Sequence, residues 1–162
     1  MGNIRGMGDG NNTPLMGWDE FSKTELLDTH RHFKWEDKQK KAVFRGQYCH
    51  QTWKLGSYTT EEATTWKEVN RGVLHEIGSQ RSDIFDIGFH KIGQNKFEEE
   101  IPTVDPIDFV DQQDYKYMVC MGTNANWAER LRNHLFTNSV LIKHEAECME
   151  WFYYLIKPWE HY

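Results

Sequence analysis

Residues 115–162 constrain the fold more than any other stretch of the chain. Residues 117–121 (YMVCM) are a short apolar run, the mark of a strand buried on both faces. Gly122, Thr123 and Asn124 break it, and Asn126 then has the character of a helix N-cap. Glu129 follows three residues later and completes a capping-box pattern. Trp127, Leu131 and Leu135 recur every fourth residue and so share one helical face. Residues 139–142 (SVLI) read as a second strand of the buried type. Strand, helix and strand in so few residues make a βαβ unit, which requires a parallel sheet. A glycine turn leading into a helix, with Arg130 near its start, suits an anion.

The rest of the chain repeats the alternation. Residues 1–13 are rich in Gly and Asn and are expected to be disordered. Residues 14–162 form one domain, with a short helix expected near 23–30. Residues 42–44 (AVF) predict a strand that stops at Arg45-Gly46. The run Thr59-Thr60-Glu61-Glu62 resembles a capping box. Trp66, Val69, Val73 and Ile77 fall at helical spacing, which predicts one apolar stripe with Gly78 as its stop. Residues 83–87 (DIFDI) predict the next strand, closed by Gly88. Residues 88–104 read as an exposed loop, and Pro106 as the start of a short helix to Gln112 with Asp105 as its cap. The order β, α, β, short α, β, α, β, α implies an α/β, Rossmann-like three-layer domain with a mostly parallel sheet. Ligands of such sheets bind beyond the carboxyl ends of the strands. Arg45-Gly46 and Gly122-Thr123-Asn124 both fall at such ends.

Composition excludes several classes. A net charge of -6 argues against a dedicated nucleic-acid binder. The apolar runs are too short for a transmembrane segment. Three cysteines without close spacing make no disulfide framework. Cys120 reads as core, and Cys49 and Cys148 as free thiols or, in a secreted chain, a pair. His30 with His32 and Cys49 with His50 are the tightest groups of metal-ligating type, and neither matches a zinc framework. Asp105, Asp108, Asp111 and Asp114 repeat every third residue, a pattern better suited to caps and a solvated face than to a cation. No P-loop, GxSxG, HExxH or Asp-x-Asp motif is present. The four aromatics at 151–154 cannot all face one way on a helix, so they divide between core and surface. No charged start followed by an apolar core marks a signal peptide.

Five segments, taken in order, resemble one family. They are KAVFRG, the arginine of WKEVNRGVL, DIFDIG, YKYMVCMGTNANWAERLRNHLFTNSVLIK and EWFYYLIKPWEHY. Over about residues 34–162 the chain resembles glycosyltransferase family 90. That family includes protein O-glucosyltransferases of the Rumi type, capsule-associated xylosyltransferases and lipopolysaccharide-modifying relatives. The resemblance implies the C-terminal, donor-binding half of a GT-B glycosyltransferase. It implies an inverting, metal-independent enzyme that takes a UDP-sugar as donor substrate and needs no cofactor. Glucose or xylose would go to a protein serine or a glycan hydroxyl. By the same resemblance the donor contacts fall at Gln47, Arg71 and Asn126-Trp127-Ala128-Glu129-Arg130. Gln47 stands where relatives carry Ser, and MGTN stands where many carry an Asp-Gly-Asn turn.

The family's catalytic aspartate lies in an N-terminal domain upstream of the segment PLMGWDEF. Residues 1–13 cannot supply that domain, so the expectation is a donor-binding portion whose catalytic residue is unidentified. The family also implies the secretory pathway. Two alternatives stay open on the sequence. One is a non-catalytic nucleotide-sugar-binding or interaction module derived from the family. The other is an unrelated Rossmann-like domain for another nucleotide.

Overall fold

The computed structural model describes residues 33–49, 63–93, 95–121, 129–144 and 152–162. The segment 1–13, the helix expected near 23–30, the Thr59–Glu62 pattern, Cys148 and Trp151 lie outside them. Among the described residues, four strands form one sheet: β1 (Gln39–Tyr48), β2 (Phe85–Ile92), β3 (Tyr115–Cys120) and β4 (Val140–Lys143). Their order in the sheet is β2-β1-β3-β4, and every pairing is parallel. Three helices connect them: α1 (Asn70–Gln80), α2 (Phe109–Gln112) and α3 (Glu129–His134). The fold is the expected Rossmann-like α/β domain.

Two apolar clusters cover the two faces of the sheet. Ala42, Phe44, Tyr48, Phe89 and Val119 pack on one face with Trp66 and Val69 from the approach to α1. Val43, Met118, Leu141 and Leu131 of α3 pack on the other, with Tyr153. Alternate residues of β1 therefore feed opposite cores, as strand geometry requires. Leu131 and Leu135 of α3 pack on the second face as their spacing predicts. Trp127, their expected companion, lies outside the described residues. Of the C-terminal aromatics, Tyr153 is buried and Tyr154 is exposed, so the aromatic run divides as expected.

Several local expectations are corrected. Both glycine-terminated strands run on past their glycines. β1 continues through Arg45-Gly46 to Tyr48, and β2 through Gly88 to Ile92. The reason is space rather than turning. A Cβ on Gly46 would lie 2.7 Å from Cζ of the Phe44 ring, which occupies the room that the missing side chain leaves. Of residues 88–104, those to Ile92 belong to β2, whereas 95–104 carry neither helix nor strand and are mostly exposed as expected, with Ile101 buried and Val104 donating its N–H to the Phe89 carbonyl. The pairing of β1 with β2 steps from Gly46–Phe89 to Gln47–Lys91, which makes His90 an extra residue in the ladder, a β-bulge. α2 begins at Phe109 with Asp108 at its cap position, not at Pro106 with Asp105. β4 is exposed at Val140 and Ile142, because it borders the sheet among the described residues instead of lying inside it.

The helical stripe is the most informative correction. Trp66 and Val69 are buried, but Val73 and Ile77 are exposed. Val69 has an extended backbone (φ −84°, ψ 154°), which splits the segment into a 3-10 turn at Trp66–Glu68 and the helix α1. Thr65 and Glu68 form a capping box at the turn. The break shifts the helical phase, so the inward face of α1 becomes Arg71, Leu74 and Gly78. Gly78 is not a stop. It lies inside the helix against Ile87, where a Cβ would come within 2.6 Å of that side chain.

Candidate active site

The strand order places a switch point at β1. The chain passes from β1 to β2 on one side, then crosses to β3 on the other side of β1. At such a point the connections leave toward opposite faces, and the carboxyl ends of the two strands border a crevice. α1 follows β1 and packs with the first core cluster; α3 follows β3 and packs with the second. Each helix sends one arginine to the carboxyl end of β1.

Arg71, in the first turn of α1, is buried and donates Nη1–H to the carbonyl of Gln47. Arg130, in the first turn of α3, donates Nη1–H to the carbonyl of Arg45 at 2.6 Å. Both guanidinium groups also lie over the Phe44 ring, at 5.7 Å for Arg71 and 5.4 Å for Arg130. Burial pulls both below the ordinary guanidinium value, and Arg71 adds a like-charge push on Arg130. Both remain cations at neutral pH, because a guanidinium is not deprotonated in proteins. Two positive charges thus converge from opposite faces of the sheet, held by carbonyls at the end of a strand.

Arg45 has another role. Its side chain is buried on the second face and pairs with Asp86 of β2, with Nη2 to Oδ1 at 2.6 Å. Tyr115 donates its hydroxyl to the other carboxylate oxygen at 2.5 Å. Burial pushes the Asp86 carboxyl up, but Tyr115 and Arg45 together hold it below the usual carboxylate range. Burial and Asp86 push the Tyr115 hydroxyl up to about 12. This triad ties β1, β2 and β3 together beneath the arginine pair, and its charges are matched.

Of the residues expected to contact a donor, the structure brings Arg71 and Arg130 together. The backbone of Gln47 belongs with them, but its side chain is exposed and lies over Gly93 of the β2 end. Asn126, Trp127 and Ala128 lie outside the described residues; Glu129 opens α3. The sequence reasoning missed Phe44, which touches both arginines, and His90, whose bulge sits beside them. His90 is held below the usual histidine value by burial and by Arg130, Lys91 and Arg45. No three His, Cys, Asp or Glu side chains converge among the described residues as a metal site would need. No helix among them is long and apolar enough to cross a membrane.

A doubly wound parallel sheet with two converging arginines at its switch point is the build of an α/β domain suited to a phosphate-bearing ligand. The comparison with protein families narrows that class. The profile of glycosyl transferase family 90 matches residues 10–162, and the chain belongs to that family. Membership implies glycosyl transfer from a sugar donor to an acceptor. No curated protein matches the chain.

Proposed function

We propose that this chain binds a UDP-sugar through Arg71 and Arg130 and serves as the donor-binding part of an inverting, metal-independent glycosyltransferase. The observation that carries the reading is the convergence of two partly desolvated guanidinium groups at the carboxyl end of β1. Arginine presents paired N–H donors in a fork that matches phosphate oxygens, and a diphosphate offers two such groups at close range. The same array stabilises the negative charge that builds on the diphosphate as its bond to the sugar breaks. Because the arginines are fixed before the reaction, little reorganisation is needed at the transition state. The acceptor would be a protein serine or a glycan hydroxyl, and the sugar glucose or xylose, as family membership suggests. Gln47 and the segment 126–129 complete the proposed donor contacts. Transfer also needs a base for the acceptor hydroxyl, which the described residues do not identify.

The test is a calorimetric titration of UDP into the wild-type chain and into Arg130→Ala and Arg71→Ala. A hydrogen bond to a charged group contributes about 1.5–3 kcal/mol. Each variant is therefore expected to bind UDP about ten- to hundredfold more weakly. Unchanged affinity in both variants would overturn the assignment. Binding of UDP-glucose or UDP-xylose without UDP release in the presence of acceptors would favour a non-catalytic module over an enzyme.

A further inference from the structure

Two like-charged guanidinium groups share one small volume at the end of β1, and something must hold them there. Long basic side chains ordinarily carry their charge out to water. Burial favours that escape for both Arg71 and Arg130, and the charge of Arg71 adds to it for Arg130. The carbonyls of Gln47 and Arg45 fix one nitrogen of each. Among the described residues, a feature common to both is the ring of Phe44, which is 1% exposed and lies 5.7 and 5.4 Å from the two guanidinium carbons. An aromatic face carries partial negative charge and attracts a cation, more strongly when water is excluded. One ring can thus offset part of the repulsion between two arginines.

The two residues after Phe44 make this placement possible. Arg45 turns to the opposite face and is locked by Asp86, which fixes the strand. Gly46 returns to the face of Phe44 and has no side chain. A Cβ there would lie 2.7 and 3.1 Å from the ring atoms Cζ and Cε1. The ring therefore lies along the strand toward its carboxyl end only because position 46 is glycine. In the segment Phe44-Arg45-Gly46, the first residue supplies a surface for cations, the second anchors it and the third clears its space.

We infer that Phe44 is a positioning residue for the basic pair: its ring, laid over Gly46, sets where Arg71 and Arg130 meet a diphosphate. The inference rests on the proposed donor reading and adds to it the residue that organises the anion site. Phe44 itself touches no phosphate. Its contribution is electrostatic as well as steric, so an apolar side chain of similar bulk cannot replace it.

The experiment measures binding of inorganic pyrophosphate and of UDP to the full chain by calorimetry, at low salt, with thermal melts as the fold control. The variants are Phe44→Leu, Phe44→pentafluorophenylalanine and Gly46→Ala. The fluorinated ring keeps the aromatic shape and reverses the charge of its face, so it separates electrostatics from packing. Phe44→Leu and the fluorinated variant are both expected to weaken pyrophosphate and UDP about five- to tenfold, since each contact of this kind is worth about that factor. Gly46→Ala is expected to act in the same direction by displacing the ring. If the fluorinated variant melts and binds as wild type does, the ring acts only by filling space and the inference is overturned. If pyrophosphate binds with the predicted dependence on position 44 but UDP binds no more tightly than pyrophosphate, the nucleotide reading fails and the role of Phe44 stands. If wild type binds neither, both fall.

Discussion

His134 offers a sharp test of how α3 is seated. It is buried at 3% exposure, stacks on Phe109 with centroids 5.6 Å apart and planes 11° apart, and its Nδ1 has no hydrogen-bond partner among the described residues. Burial, with a smaller push from Arg130, drives its pKa from the ordinary 6.5 down to about 3. The folded protein therefore keeps the ring neutral where the unfolded chain takes up a proton. Between about pH 6.5 and 3 the unfolded state binds more protons, so stability is fully present above 6.5 and falls as the solution is acidified. Each pH unit in that window is worth about 1.4 kcal/mol. From pH 7 to pH 4.5 the loss assigned to His134 is about 2.5 kcal/mol. His134→Phe keeps the stack on Phe109 and removes the titration. Urea unfolding of both proteins at four pH values between 7.5 and 4.5 gives the comparison. His75 and His90 also titrate low, but they are present in both proteins and cancel in the difference. The gap between the two stability curves should widen by about 2.5 kcal/mol toward acid in favour of the variant. Parallel curves would refute the assignment of a neutral, proton-excluding site to His134. Arg130 lies one helical turn before His134, so acid that loosens this turn should also weaken anion binding.

Two further outcomes follow from the packing. Asp86→Asn leaves the buried Arg45 guanidinium without its carboxylate and should destabilise the fold by about 1–3 kcal/mol in chemical unfolding; Tyr115→Phe should cost less than half of that, and equal losses would contradict the triad as described. Gly78→Val forces a side chain into the space held by Ile87 and should destabilise by about 1–3 kcal/mol through overpacking. A neutral effect at Gly78 would mean that α1 does not press on β2 as described.

The parallel α/β architecture was legible because its signals are local. The apolar runs at residues 117–121 and 139–142, with a helical pattern between them, allow little else. The place of Arg130 near the start of a helix after β3 was legible for the same reason, since it can be read from neighbours in the chain. The inward turn of Arg71 was not. It depends on a single extended residue, Val69, that breaks the helix and resets its phase, and the apolar spacing of Trp66, Val69, Val73 and Ile77 points to the wrong face. Gly46, Gly78 and Gly88 were misread as terminators because sequence records the lack of a side chain but not the partner that fills the gap. Those partners are Phe44, Ile87 and Val104, and only the folded chain brings the last two into contact. Phe44 itself went unnoticed because a phenylalanine in a strand reads as core, and its contact with two cations is entirely tertiary.

The strand order also has a consequence for synthesis. β1 is the first described strand to leave the ribosome and takes an interior place in the sheet, between β2 and β3. Its Ala42 must wait for Phe85 on one side and Tyr117 on the other. Until then both of its apolar faces and both backbone edges are open. Pairings of such long sequence separation are slow to form, and exposed strands of this kind are prone to associate wrongly. The proposed anion site is assembled on the end of that same strand, and α3, which brings Arg130 to it, is synthesised only after β3. On that reading, ligand-binding competence should be acquired late, when α3 is seated and Arg130 reaches the end of β1.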